Sequence, residues 1–304
     1  MEMRPPTITL VSDQATAEKL WKQLSPAETI YDDWDFRETF HRYYRNELFF
    51  YTANVDGKVV ALMPLQMGEN GTTLEFFGGD YMEDNRVFAL PGYEYCIPEL
   101  YKHLDKPNDL EFIRSTDPYT ETFPIVDYKY VLPLDTFKSS DDYIEAQYHG
   151  ETKKKFKKRL RKIDETNPQI IVNNWEDLEL LFQLNIDQFK DGPRQSMFAR
   201  EYRQDIFRDL CKAHETFTPR LLTFVVNGEK QAVSLALLYN KNYASINTGI
   251  VAEPLLNLKE YIHIKKFDDA ITEGCTLFDA FVRDYGWKEK WGLKKIPQYQ
   301  FKAS

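Results

Sequence analysis

RLLTFVVNGEKQAVSLALLY, residues 220–239, is the stretch from which the fold of this chain can be read. The Asn227-Gly228 pair stands between two runs of apolar residues and predicts two β-strands joined by a tight turn, since Asn-Gly is the strongest short hairpin signal. NYASINTGIV, residues 242–251, predicts a third strand. The three strands together indicate an antiparallel meander.

A helix and a fourth strand follow the meander. The helix is predicted over residues 258–273, and CTLFDAFV, residues 275–282, predicts the strand. A helix that crosses between neighbouring strands makes those strands parallel and the crossover right-handed. The start of the helix then faces the carboxyl end of the third strand, where anions and small ligands bind.

The composition bounds the class of protein. The chain has 304 residues, 42% of them hydrophobic and 15% aromatic, which suits a globular α/β protein with large side chains in its sheets. Its longest apolar run, near residues 232–239, has the length of a strand and not of a membrane span. Three widely spaced cysteines argue against a disulfide scaffold, so we expect a cytoplasmic protein.

A repeat runs through the chain. The hairpin turns at Asp56-Gly57 and Asn227-Gly228 lie 171 residues apart, and two predicted helices precede each of them. This order favours a duplicated α/β unit, although common Asx-Gly turns also arise independently. We predict a first unit over residues 1–138, a helical connector over 139–168 and a second unit over 169–304.

The predicted connector contains a concentrated run of positive charge. ETKKKFKKRLRKI, residues 151–163, carries eight basic side chains and one acidic side chain within a chain of net charge −9. Two interpretations stay open: a solvated lysine-rich connector, or a surface that contacts phosphates of a nucleotide or of RNA. The residues of this predicted basic patch are Lys154, Lys155, Lys158, Arg159 and Lys162.

Several familiar chemistries are missing from the sequence. It contains no Gly-x-Ser-x-Gly elbow, Walker loop, dinucleotide fingerprint or zinc spacing, and we predict no metal site. The segment VRDYGWKEKWGLKKIPQY, residues 282–299, combines aromatic and charged side chains directly after the fourth strand. It indicates either the mouth of a cleft or an aromatic plug over the end of the sheet.

These features together resemble the GNAT-fold acyltransferases of the FemAB and CelD-like group, many of which carry two GNAT units in tandem. The resemblance rests on KKKFKKRLRK, the hairpin VVNGEKQAVSLALLYN, the strand and helix YASINTGIVAEPLLNLKEYIHIKKFDDAITEG, and the tail FDAFVRDYGWKEKW. It covers residues 150–292 well and 48–292 loosely. It implies a mixed α/β fold of two tandem GNAT-like units.

The resemblance also implies acyl or aminoacyl transfer to an amine or hydroxyl acceptor, such as a small molecule or a cell-envelope precursor. The donor would be acyl-CoA (acetyl-CoA, for example) or aminoacyl-tRNA, bound where the third and fourth strands part. Its predicted contacts are Thr248, Gly249, Ile250, Asn257 and Lys259. The sequence departs from the family pattern at Asn257-Leu258-Lys259, because GNAT proteins that bind pyrophosphate have a glycine-rich turn there.

For the chemistry we predict proton transfer by Asp284 and Tyr285, with Lys288 and Arg283 countering negative charge. The reaction is expected in a cleft between the two predicted units. The predicted substrate contacts there are Arg283 and Trp287, with Asp80 and Tyr81 of the first unit as contacts to the acceptor. Two other functions compete with transfer: a module that contacts tRNA through the basic patch, and a GNAT-fold protein without catalysis that serves complex assembly.

Overall fold

The computed structural model describes residues 4–115, 118–190, 195–284 and 286–303. The chain forms two compact units: the first contains residues 1–130, 282–284 and 295–304, and the second contains residues 131–281 and 285–294. The segment predicted as a connector clusters with the second unit, and the last strand clusters with the first. These boundaries differ from the predicted ones because each unit combines segments that are distant from one another in the sequence.

The first unit begins with a strand, two helices and a hairpin. Its elements are β1 (Thr7–Val11), α1 (Gln14–Leu24), α2 (Trp34–Tyr44), β2 (Leu48–Val55), β3 (Lys58–Met67), β4 (Leu74–Phe76), β5 (Phe88–Ala89), α3 (Ile97–Lys102) and β6 (Asn108–Arg114). β7 (Ile125–Pro133) then carries the chain into the second unit.

The second unit repeats that order after two additional helices. Its elements are α4 (Ser140–Gln147), α5 (Gly150–Asp164), β8 (Gln169–Val172), α6 (Leu178–Phe189), α7 (Glu201–Leu210), β9 (Thr218–Val226), β10 (Glu229–Tyr239), β11 (Asn242–Ile250), α8 (Leu258–Thr272) and β12 (Leu277–Val282). The chain ends in β13 (Lys294–Ala303).

Each unit contains a mostly antiparallel sheet with one parallel pair. In the first unit the strand order is β1-β2-β3-β4-β6-β13, with β5 beside β3, and β4 and β6 are parallel. In the second unit the order is β8-β9-β10-β11-β12, and β11 and β12 are parallel. The predicted parallel pair is therefore present, with α8 as the helix between its strands.

Local backbone features recur at matching places in the two units. Both hairpin turns have positive φ at their two central residues, 51° and 79° at Asp56-Gly57 and 54° and 79° at Asn227-Gly228. Positive φ at both positions gives the turn that matches the twist of paired strands. In addition, Phe112 of β6 and Phe281 of β12 have φ of 54° and 59°, although each is a bulky residue within a strand. The shared strain supports the duplicated unit.

Apolar side chains cover both faces of the first sheet. On one face, the helix residues Trp21 and Trp34 pack against Phe50 and Phe77. A second apolar cluster on the sheet of this unit includes Ile97 and Leu100 of α3. Burial of such side chains contributes roughly 25 cal/mol per Å² of apolar surface, so the helices are held mainly by this packing. None of the helices in the described ranges has the length and apolarity that a bilayer crossing requires.

In the second unit the sequence between β7 and β8 is part of the core. Tyr143 of α4 and Phe156 of α5 are both under 3% exposed, and both lie beside the ring of Trp291. Phe267 of α8 completes this aromatic cluster, with its ring centroid 5.9 Å from that of Trp291. Because α5 buries its apolar stripe here, it is a constituent of the unit and not a free connector.

Candidate functional site

The two parallel strands of the second unit separate part-way along their length. Their ladder consists of three residue pairs and ends at Ala244 opposite Asp279. β11 continues to Ile250 and β12 to Val282, with no further ladder pairs between them among these fully described residues. A gap edged by backbone groups therefore opens between the carboxyl ends of β11 and β12.

A β-bulge in β11 accounts for the position of this gap. Against β10, the register steps by two residues, Leu235 to Leu237, while β11 steps by three, Asn247 to Ala244. The extra residue in β11 bends the strand directly after its last pair with β12. Bulges of this kind concentrate beside active sites because they redirect a strand and end its pairing.

The backbone is strained at the β12 edge of the gap. Phe281, only 6% exposed, has φ of 59°, and Arg283 has φ of 63°. The carboxylate of Asp279 accepts a hydrogen bond from the Phe281 backbone N–H at 2.9 Å and thereby helps to hold the turn. A non-glycine residue in this conformation costs on the order of 1–3 kcal/mol and persists where the surroundings fix it.

Lys288 lies at this edge. Its Nζ donates hydrogen bonds to the carbonyl oxygens of Ala280, at 2.6 Å, and Phe281, at 3.1 Å, and the residue is 3% exposed. The structure thus places the predicted charge-countering lysine beside the end of β12. The neighbouring Trp287 stacks on the ring of His263 of α8, with centroids 4.2 Å apart.

Each predicted donor contact on β11 also has a structural role within the second unit. The Thr248 hydroxyl lies 2.9 Å from that of Ser234, with which it is paired across the ladder. A Cβ on Gly249 would lie 2.7 Å from the Leu181 carbonyl oxygen of α6, so only glycine permits that packing. Ile250, at the end of the strand, is buried.

The start of α8 follows the gap in sequence. Asn257 has φ of 71°, a left-handed conformation that asparagine adopts more readily than most residues other than glycine. Its side chain does not cap the helix, and the backbone N–H groups of Lys259 and Glu260 have no acceptor among the described residues. Lys259 itself is exposed. An uncapped helix start of this kind attracts anions.

The remaining predicted residues belong mainly to the first unit. Arg283 and Asp284 directly follow β12 and cluster with the first unit. Asp80 and Tyr81 also belong to that unit; Asp80 accepts a hydrogen bond from the Tyr44 hydroxyl at 3.0 Å and borders a recess of about 250 Å³. Tyr285 lies outside the described residues.

The predicted basic patch is divided by ion pairs. Arg159 donates two hydrogen bonds to the carboxylate of Glu260, at 2.7 and 3.1 Å, and the exposed Lys154 pairs with Glu151. The other three lysines, which are exposed and have no ion pair among the described residues, are Lys155, Lys158 and Lys162. The free positive surface of α5 is therefore narrower than the sequence indicates.

Two functional candidates were missed by the sequence reasoning, and both lie on α8. Lys266 is 2% exposed, and its Nζ lies 3.4 Å from the Thr248 hydroxyl. His263 lies one turn earlier on the helix. Burial, together with the positive charge of Lys288, lowers the pKa of Lys266 to about 7, and burial and both lysines lower the pKa of His263 to about 3. The sequence contained a signal for both residues. Lys266 follows the apolar Ile262 by four residues and His263 precedes the apolar Phe267 by four, so each shares a helix face with an apolar residue.

The corresponding gap of the first unit is filled by its own chain. β4 and β6 share one parallel ladder pair, Leu74 with Asn108. Beyond it, Asn85 forms a parallel bridge to Ile113, and its backbone N–H donates to the Phe112 carbonyl at 2.8 Å. The backbone edge of β6 is thus occupied where the matching edge of β12 contacts Lys288.

Comparison with known proteins agrees with this architecture. Residues 150–289 match the family model "Acetyltransferase (GNAT) domain". The comparison with curated protein sequences finds no match.

Three solved structures cover nearly the whole chain. FemX has a TM-score of 0.61 at 11% identity, covering 97% of this chain and 96% of its own. L-PGS from Bacillus licheniformis has a TM-score of 0.57 at 13% identity, with 99% and 93% covered. A tandem GNAT protein from the clavulanic acid biosynthesis pathway has 0.55 at 10% identity, with 98% and 99% covered. Identities this low concern the fold, and they confirm the resemblance to tandem GNAT proteins of the FemAB group.

Proposed function

We propose that this chain, whose second unit contains the GNAT domain match, is an acyltransferase. It moves an acyl or aminoacyl group from an activated donor to an amine or hydroxyl acceptor, and the reaction takes place at the gap between β11 and β12. The observation that carries this proposal is the asymmetry between the units. In the second unit the described ladder between β11 and β12 ends at Ala244 opposite Asp279, whereas in the first unit Asn85 forms a further bridge to β6.

The gap suits a thioester or ester carbonyl. Backbone N–H groups that point into such a gap stabilise the oxyanion of a tetrahedral intermediate, and we propose this role for the edge of β11 beyond Ala244. Lys288 adds a buried positive charge beside β12. The acceptor nitrogen or oxygen forms the new bond to the carbonyl carbon, and the bond to the leaving group breaks.

Proton transfer completes the reaction. We assign Asp284 as the acceptor of the proton from the incoming nucleophile and Tyr285 as the donor of a proton to the leaving group. Arg283 and Trp287 are proposed to contact the substrate, together with Asp80 and Tyr81. Asp80 borders a recess that also contains Glu75, and burial raises the pKa of that carboxyl to about 7.

The start of α8 is proposed to bind the phosphates of the donor. The unsatisfied N–H groups of its first turn, the left-handed Asn257 and the exposed Lys259 support acyl-CoA as that donor. Arg159 pairs with the Glu260 carboxylate of the same turn and offsets a negative charge that would repel phosphate. The resemblance to FemAB proteins leaves aminoacyl-tRNA as the alternative donor.

Replacing Lys259 by alanine is expected to weaken acyl-CoA binding about fivefold. The side chain is exposed, so one charge-assisted contact to phosphate contributes on the order of 1 kcal/mol. The measurement is the Kd for acyl-CoA by calorimetry at fixed ionic strength. Lys265→Ala, on the same helix, is the matched control. An unchanged Kd in the Lys259 variant would remove this residue from the donor site.

Replacing Asp284 by asparagine is expected to lower kcat about 100-fold, within the range of lost general-base catalysis, with little effect on donor binding. The asparagine keeps the shape of the side chain but is no base. Steady-state turnover and the donor Kd are measured on the same preparation. Equal losses in turnover and in donor affinity would contradict the assigned role.

A ligand screen tests the function as a whole. Acetyl-CoA, longer acyl-CoAs and charged tRNA are compared for saturable thermal stabilisation, which reaches about 2.7 kcal/mol at 100 times Kd. Each ligand that stabilises the chain is then offered with amine and hydroxyl acceptors, and the product is detected by mass spectrometry. Stabilisation by acyl-CoA with product formation supports transfer, and failure of every donor overturns it.

The same screen addresses binding of RNA through α5. In this second candidate function, the exposed Lys155, Lys158 and Lys162 contact phosphates. Such binding weakens steeply with added salt and disappears when the three charges are reversed. tRNA binding that persists in the reversed variant would exclude α5 as the RNA surface.

A further inference from the structure

Lys266 is a buried cation without a nearby carboxylate. It is 2% exposed, and none of the described carboxylates lies within ion-pair distance of its Nζ. Its polar contact is the Thr248 hydroxyl at 3.4 Å, which is a long hydrogen bond, and Nζ lies 5.7 Å from the centre of the Phe278 ring. These contacts offset little of the cost of removing an ammonium from water.

Two other buried cations of this chain have carboxylate partners. Arg86 pairs with Asp32 at 2.5 Å, and Lys129 pairs with Asp84. Burial of an ion is tolerated in proteins chiefly through such pairing. Buried Arg37 and Lys288 instead donate to backbone carbonyls, whereas Lys266 has only the long contact to the Thr248 hydroxyl among the described residues.

His263 adds an unsatisfied polar atom next to this cation. It lies one helical turn before Lys266, and its Nδ1 is buried with no hydrogen-bond partner among the described residues. The ring is held by stacking on Trp287, with centroids 4.2 Å apart, and by contact with Trp291 at 5.3 Å. Stacking fixes the plane of the imidazole and leaves Nδ1 available to a ligand. Orphaned buried nitrogens are rare and point to an absent partner.

We propose that Lys266, His263 and Thr248 form an anion-binding pocket on the α8 side of the gap between β11 and β12. The anion supplies a carboxylate or phosphate oxygen, which accepts from the Lys266 ammonium, from N–H at His263 Nδ1 and from the Thr248 hydroxyl. No covalent step is involved. That this anion belongs to the donor or acceptor of acyl transfer rests on the proposed function, whereas the pocket itself does not.

The charges around Lys266 determine how binding depends on pH. Lys288 faces it from the segment after β12, and His263 lies on its own helix; Thr248 of β11 and Phe278 of β12 do not titrate in this range. Burial and the Lys288 charge lower the pKa of Lys266 to about 7, so above pH 7 the anion binds only with uptake of a proton. Its apparent Kd is therefore expected to rise about tenfold for each pH unit above 7.

The free energy of unfolding depends on the same titration, but it is expected to rise with pH, whereas anion binding weakens. The folded-state pKa of Lys266 lies below its ordinary value of 10.5, so the unfolded chain binds the proton more tightly between about pH 7 and 10.5. Without an anion, the protein should become more stable as the pH rises through this window. Removing the ammonium should abolish that gain.

The test measures thermal stability and calorimetric binding of the full chain with sodium acetate and with inorganic phosphate. Ionic strength is kept constant with chloride, at pH 6.5 and 8.5. The variants are Lys266→Met, which removes the charge, and His263→Phe, which retains an aromatic ring for Trp287 but no nitrogen. Lys265→Met is the matched control, since Lys265 directly precedes Lys266 and its Nζ lies 3.7 Å from the Asp268 carboxylate.

We expect one or both anions to raise the Tm saturably at pH 6.5, and less at 8.5, in the unchanged chain and in Lys265→Met. The rise should be lost in Lys266→Met and reduced in His263→Phe. The anion that acts identifies the ligand as carboxylate or phosphate. Equal rises in all variants, or none in the unchanged chain, would overturn the pocket; if Lys266→Met fails to fold, His263→Phe decides.

The two proposals fail separately. Acyl transfer by a chain that binds neither anion would refute the pocket and leave the transferase standing. Saturable anion binding that depends on Lys266, in a chain that transfers no acyl group from any donor, would support the pocket and refute the transferase.

Discussion

Replacing Lys288 by methionine is expected to lower kcat by roughly 10²–10³-fold, the range seen when one donor to an oxyanion is removed. Lys288 holds the one ammonium in contact with the carbonyl oxygens of Ala280 and Phe281 at the end of β12 within the described residues. Methionine fills similar volume without a charge. Because the proposed site is largely shielded from water, the loss of a fixed positive charge there has a large effect.

Stability has to be measured beside turnover for this variant. Loss of two hydrogen bonds to backbone carbonyls destabilises the fold, while removal of a buried charge offsets part of that cost. We therefore expect the free energy of unfolding to change by no more than about 2 kcal/mol. Lys290→Met, at an exposed position two residues later, is the control and should keep full turnover. A folded Lys288 variant with kcat within threefold of the unchanged chain would exclude the electrostatic role.

Replacing Asp84 by alanine is expected to destabilise the first unit by about 3–5 kcal/mol, as breaking a buried ion pair usually does. The Asp84 carboxylate, 3% exposed, accepts hydrogen bonds from Arg114 Nε at 2.9 Å, from Arg114 Nη2 and from Lys129 Nζ. Lys129 is itself 1% exposed. The alanine leaves the buried Lys129 and the half-buried Arg114 without this counter-ion.

The titration of Asp84 gives the sign of the pH effect. Burial alone would raise its pKa, but Lys129 and Arg114 outweigh burial and hold the pKa well below its usual range. A depressed carboxyl pKa stabilises the fold above the unfolded-state value and loses that contribution as the pH falls toward the folded-state value. The unchanged chain should therefore weaken in acid, whereas Asp84→Ala lacks the contribution already at pH 7.

Denaturant unfolding at pH 7 is the measurement, with Asp109→Ala as the control. Asp109 pairs with Lys302 at 2.6 Å, but both side chains are solvent-accessible, at 32% and 67%. Exposed pairs of this kind contribute about 0–1 kcal/mol. If the two variants lose similar stability, the buried network is not what holds this part of the first unit.

Arg37 donates to the backbone carbonyl of Asp84 and so connects this network to the filled gap of the first unit. Arg37 donates to the backbone carbonyls of Tyr31 at 2.5 Å, Phe77 at 2.6 Å and Asp84 at 3.0 Å. It fixes the segment that leads to Asn85, the residue that bridges to β6. The filled gap is therefore held by buried charges from several parts of the chain.

The hairpins, the parallel pair and the crossover helix could be predicted because their signals are local. Asn227-Gly228 adopts positive φ whatever surrounds it, and α8 begins at Leu258 as expected, one residue after the left-handed Asn257. β13 was missed. Its sequence contains Pro297 and five lysine or glutamine residues, so nothing local marks it as a strand, and pairing with β6 makes it one.

The residues of the candidate site also divide into those that the sequence predicted and those that it did not. Lys288 and Thr248 were both predicted from the resemblance of their segments to a known family, and their roles in transfer stay predictions. Lys266 and His263 were not predicted, because a polar residue on a helix is ordinarily taken to face water. The chain itself determined the order of the elements, the turns and the parallel pair, since these depend on interactions between residues near in sequence. Only the tertiary structure decided where β11 and β12 separate and which of the two gaps is filled. It also decided that Lys266 is buried with no described carboxylate beside it. Burial and pairing depend on residues that the chain brings together from far apart.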